Sequence, residues 1–190
     1  MGLTYIASVT ASSSATVSFT TGIDATYNEY QFRFVNMQPA DTSQTGVAFG
    51  FQVNAVGQSG FNEVMTTTWF RAYHYENNAG AAVQYIGSYD QAQGTAYQPL
   101  SDLYSQYPNY QSGQDVDDMG ASGVLTLYDP SSTTYVKHFV ARVNTAAVAP
   151  STMDVQAAGY INTTTAIDEI SFKMTSGNIT AGSIHMYGVG

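Results

Sequence analysis

Apolar and polar positions alternate with a period of two along most of the chain. Val47, Phe49, Phe51 and Val53 form one series, with Ala48, Gly50, Gln52 and Asn54 between them. Tyr30, Phe32 and Phe34 alternate with Glu29, Gln31 and Arg33, and Val136, His138, Val140 and Arg142 with Lys137, Phe139, Ala141 and Val143. The same spacing recurs around 125–127, 169–174 and 183–187. Successive side chains of a strand point to opposite faces, so this pattern predicts half-buried strands. Further strands are predicted at Leu3–Val9, Ala15–Phe19, Val64–Tyr75, Val83–Ile86 and Val155–Ile161, for roughly eleven or twelve in all. Turn-forming clusters separate them: Thr21-Gly22, Gln58-Ser59-Gly60, Asn77-Asn78-Ala79-Gly80, Asp129-Pro130-Ser131-Ser132 and Ser176-Gly177-Asn178. No segment keeps a helical period over several turns. Short connections without crossover helices imply antiparallel pairing. An all-β, antiparallel, two-sheet sandwich with jelly-roll-like connectivity and essentially no helix is the expected architecture, a closed barrel being the alternative. One domain, 1–190, accounts for the whole chain.

The segment Gln98–Ala121 breaks the alternation. It carries Tyr104, Tyr107 and Tyr110, then Asp115, Asp117 and Asp118. A loop this long in a compact domain is usually functional or mobile. Tyrosine offers broad contact area, few rotatable bonds and a polar tip. Beside Gln and Asp, these tyrosines are the candidate glycan- or partner-binding residues; ordinary strand tyrosines are the competing reading. The run Asp115-Val116-Asp117-Asp118 has the donors for a hard cation, but lacks the Gly and Glu of a calcium-binding EF-hand loop, so a solvated acidic loop is expected.

Composition narrows the chemistry. There is no cysteine, which excludes disulfides, zinc–thiolate sites and thiol nucleophiles. Only 10 % of residues are charged, against about a quarter in an average domain, and the net charge is −9. The basic residues are Arg33, Arg71, Lys137, Arg142 and Lys173; between Arg71 and Lys137 every charge is acidic. Nucleic acid and anionic membranes are therefore not expected as partners. No apolar run reaches the roughly 18 residues of a membrane span, and the start lacks the pattern of a secretory signal. Solubility has to come from Ser, Thr, Gln and Asn.

Little points to catalysis. His74, His138 and His185 fall in separate predicted strands, so no metal site is expected. Glycoside hydrolysis needs two carboxylates at a fixed separation, and the four glutamates, Glu29, Glu63, Glu76 and Glu169, all fall in or beside predicted strands at surface positions. No nucleophile-elbow pattern occurs. The expectation is a protein without catalytic residues or cofactor, acting through its surface. Trp69 is expected in the core. Asn162-Thr163-Thr164 and Asn178-Ile179-Thr180 have the form of glycosylation sequons but carry little weight without a secretory signal.

Residues 166–174 (Ala-Ile-Asp-Glu-Ile-Ser-Phe-Lys-Met) lead through Thr175-Ser176-Gly177-Asn178 and Ala181-Gly182 to a last strand ending Tyr187-Gly188. This arrangement resembles the closing hairpin of β-sandwich virion proteins of tailed bacteriophages. Gly60-Phe61-Asn62-Glu63, Phe70–His74 and Asp129–His138 fit the same picture. The resemblance implies a virion structural protein: a capsid decoration (cement), head-fibre or tail-fibre protein assembled in the host cytoplasm. It implies partners of three kinds: other copies of the chain, as a homotrimer; a major capsid or tail protein; and a host-surface glycan. A carbohydrate- or receptor-binding fibre module is the alternative function. The resemblance carries no catalytic residue.

Overall fold

The computed structural model describes residues 2–40, 47–102, 120–147 and 151–190. The described residues form thirteen strands and one 3-10 turn, Gly87–Tyr89. The strands are β1 (Leu3–Thr10), β2 (Val17–Phe19), β3 (Glu29–Pro39), β4 (Phe49–Ala55), β5 (Met65–Tyr75), β6 (Ala81–Tyr85), β7 (Ala92–Gly94), β8 (Gln98–Pro99), β9 (Gly120–Tyr128), β10 (Lys137–Ala147), β11 (Ser151–Ile161), β12 (Ile167–Met174) and β13 (Ile179–Val189). The two strands that sequence periodicity does not reveal, β7 and β8, are three and two residues long. Strands that short cannot display a period.

All pairs are antiparallel, in a nine-stranded sheet ordered β1-β13-β3-β9-β10-β11-β5-β6, with β7 also on β5, and a four-stranded sheet ordered β2-β12-β4-β8. The two sheets pack face to face as a sandwich. Eight strands pair from the outside of the sequence inward: β1 with β13, β2 with β12, β3 with β9 and β4 with β8. Contacts β13·β3 and β12·β4 join these pairs sideways. That nesting is the jelly roll, one long antiparallel ribbon rolled on itself. Two insertions widen only the larger sheet: β5–β7 between β4 and β8, and β10–β11 between β9 and β12.

Phe172 lies at the centre of the core, with ring centroids 5.7, 5.3 and 5.8 Å from Phe32, Phe34 and Phe49. Phe51 meets Phe139 edge-on at 4.9 Å, tying β4 to β10. Trp69 is fully buried, as expected. β4 differs from its sequence pattern. Its alternation suggests one wet face, yet every residue of it is buried. Gln52 of that second face lies under the segment between β7 and β8, where its Nε2 donates to the carbonyls of Glu63, Thr95 and Ala96 at 2.9, 3.1 and 3.2 Å. A Cβ on Gly50 would stand 2.7 Å from the Gln98 carbonyl oxygen, so only glycine admits β8 there.

Candidate binding surface

The insertions give the larger sheet a broad outer face. One register row, Ser8–His185–Arg33–Val124–Arg142–Gln156–Phe70–Tyr85, crosses eight strands without a break. The row beside it runs Tyr5–Tyr187–Gln31–Thr126–Val140–Ala158–Thr68. Apolar and aromatic side chains stand exposed on or beside this face: Tyr5, Val35, Phe70, Val83, Tyr85, Tyr128 and Val140. Between β10, β11 and β5 the small side chain of Ala158 leaves a trough of about 450 Å³, bordered by Val140, Thr68, His138 and Tyr160.

The charges on the face are largely spoken for. Arg142 forks onto Asp154 through Nε and Nη2 at 2.9 and 2.8 Å, and this hydrogen-bonded carboxylate pushes the guanidinium's pKa up. Arg33 lies over the Tyr187 ring at 5.1 Å. The result is a broad, weakly charged surface of aromatic, hydroxyl and small side chains. It suits contact with another extended surface, because charged residues are depleted from interface cores and aromatic residues enriched.

Behind this face, on the core side of β5, lies a polar cluster with no sequence signature. Arg71 forms a near-buried ion pair with Asp102. Arg71 also donates through Nε and Nη2 to Gln84 Oε1 at 3.1 and 2.9 Å. The Tyr89 hydroxyl donates to Asp102 at 3.3 Å, and its ring stands edge-on to Trp69 at 4.7 Å. Burial raises the pKa of Tyr89, and the neighbouring Asp102 carboxylate raises it further. Burial also raises the pKa of Asp102, against the pull of Arg71. Next to it, the Thr67 hydroxyl donates to Gln98 Oε1 at 2.6 Å and accepts from the Gln91 amide at 2.8 Å. These bonds anchor the segment between β6 and β8 to the inner face of β5. The partners are 24 and 31 residues apart in sequence, beyond the reach of any periodicity.

Tyr104, Tyr107, Tyr110, Asp115, Asp117 and Asp118 lie outside the described residues. Other tyrosines of the acidic middle go separate ways: Tyr85 is exposed on β6, Tyr89 packs on Trp69, and Tyr97 lies under the Lys173 ammonium at 4.2 Å. The histidines sit on β5, β10 and β13, where His74 donates to Asn78, His138 stands against Tyr160 and His185 shares a hydrogen bond with Ser183. Among the described residues no three His, Asp or Glu side chains gather as a metal site would require. Glu63 and Glu169 both brace β4, accepting from the Ala55 amide at 3.1 Å and from Asn54 Nδ2 at 2.9 Å. Asn162 and Asn178 hold loops together, donating to Gln93 and to the Ser13 carbonyl. Comparison with protein-family models, with curated proteins and with solved structures finds no match in any of the three.

Proposed function

We propose that this chain is a virion structural protein of the tailed-bacteriophage kind, a capsid decoration or fibre protein that coats a particle by packing against its shell or tail and against other copies of itself. The observation that carries this reading is the outer face of the nine-stranded sheet: wide, weakly charged and continuous across eight strands. The resemblance of residues 166–188 to the closing stretch of phage sandwich proteins supports it in sequence only: the expected hairpin is not formed, because β12 lies in the four-stranded sheet and β13 in the nine-stranded one, between β1 and β3. On a lattice, each copy needs only a weak contact, because simultaneous engagement of many sites multiplies affinity. A three-fold ring is the oligomer the resemblance implies.

Immunogold labelling tests the reading. An antibody raised against this chain should decorate the heads or tails of phage particles purified from the culture that produces it. Particles that stay unlabelled, while the protein is found only in the particle-free supernatant, would overturn it.

A further inference from the structure

A sheet edge presents unpaired N–H and C=O groups, and stable proteins blunt their edges with bulges, proline, charge or shortness. Three of the four edges here are blunted. β1 carries a bulge between Tyr5 and Ala7. β2 has three residues, and β8 has two, one of them Pro99. β6 differs: five residues, Ala81-Ala82-Val83-Gln84-Tyr85, in unbroken register with β5 and with no charge and no proline. Among the described residues nothing pairs with its outer side.

The direction of each β6 amide follows from its neighbours. Tyr75 N donates to Gly80 O, and Ile86 N donates to Trp69 O. Hydrogen-bonded pairs alternate in an antiparallel ladder. Ala82 and Gln84 therefore bond to β5, while the N–H and C=O groups of Ala81, Val83 and Tyr85 point away from the sheet. On the outer face Val83 and Tyr85 are 75 % and 65 % exposed, next to the exposed Phe70.

We infer that β6 is a self-pairing edge, which joins two copies of this chain antiparallel about a two-fold axis through Val83. In that register Ala81 faces the partner's Tyr85, Val83 faces the partner's Val83, and three reciprocal pairs exchange about six hydrogen bonds. Side-chain sizes fit on both faces. Each Tyr85 lies beside the partner's Ala81 and each Gln84 beside the partner's Ala82, with the two Val83 side chains meeting on the axis. The contact is isologous, as a two-fold requires. Copies of a chain with net charge −9 repel one another, and pairing at β6, which has no charged residue, sets no like charges directly opposite each other. A five-residue strand is only ~17 Å long. The contact therefore covers less than the ~1,200 Å² of a standard interface, and the dimer is weak and concentration-dependent. A two-fold differs from the three-fold proposed above, so β6 would join rings to one another. The inference rests on the edge geometry and not on the virion reading.

Sedimentation equilibrium and amide exchange on the full chain test it. The wild type should dimerise as concentration rises. The Ala81, Val83 and Tyr85 amides should become protected only then, with Ala82 and Gln84 protected throughout. Val83→Lys sets like charges against each other and should weaken dimerisation at least ~10-fold. Val83→Pro removes an outward amide that β5 does not use, and should do the same with the melting temperature retained. Three results overturn the inference: both variants dimerise like the wild type; the three amides stay unprotected at every concentration; or they are already protected in the dilute monomer, with another segment of the chain on the edge. The two proposals fail separately. A wild type that labels particles but ignores both substitutions loses only the β6 contact, and a β6 dimer absent from particles loses only the virion reading.

Discussion

Arg71 and Asp102 show how tertiary packing decides the charge balance of single residues. Asp102 is 4 % exposed, and burial raises its pKa in spite of the adjacent guanidinium. A carboxyl whose pKa is higher in the folded chain than in the unfolded one binds its proton more tightly when folded. Its contribution to stability is therefore fully present in acid and declines as pH rises through the raised value. Replacing Arg71 removes the attraction that limits this decline. Arg71→Met should cost ~3 kcal/mol at neutral pH, and the penalty should shrink in acid, because a protonated Asp102 no longer needs the guanidinium. Urea unfolding of both proteins at neutral and at acid pH measures the difference; an equal penalty at both would contradict the assignment. Lys137 makes a related point. Its place in the alternation puts it on the core face with Phe139, and the structure buries it completely. The Nζ donates to the carbonyls of Tyr135 and Thr163, each at 3.1 Å, and burial pushes its pKa down against the pull of Asp129 and Glu63. The face was legible in the sequence. The carbonyls that make the position tolerable come from two loops that only the fold brings together.

At the scale of elements, β13 is shaped by one glycine. The β13–β3 register slips between Ala181 and Ser183, and Gly182 has φ of +120°, in the region that disfavours side chains. A Cβ there would lie 2.6 Å from the Asn36 carbonyl oxygen, and Asn36 itself has φ of 50°. The bulge thus needs glycine for both conformation and space. Gly182→Ala should lower stability by ~2–3 kcal/mol, seen as a lower denaturation midpoint at unchanged slope. A midpoint within error of the wild type would show that the bulge relaxes freely. The other elements follow their sequence signals to different degrees. Long strands such as β3 and β10 stand out by period, and the β5–β6 turn by Asn77-Asn78-Ala79-Gly80. The second buried face of β4 does not stand out, because its cover is a loop whose position depends on β5 to β8.

At the scale of the whole molecule, charge governs association. With a net charge of −9 and five basic residues, copies repel at low ionic strength. Raising salt from ~0.01 M to ~0.15 M shortens the Debye length from roughly 30 to 8 Å, so self-association should strengthen with salt. Light scattering at constant protein concentration checks this; dissociation on adding salt would mean that intermolecular ion pairs hold the copies together. The amino-acid pattern by itself determined that this chain is an antiparallel sandwich, because a period of two is a local property of residues a few positions apart. Missing cysteine likewise removed disulfide and thiol chemistry without reference to the fold. Which strands neighbour one another, that one sheet is more than twice as wide as the other, that Arg71 meets Asp102, and that among the described residues nothing pairs with the outer side of β6 were decided only in three dimensions. These are contacts between distant residues, and alternation says which way a side chain faces, never what it faces.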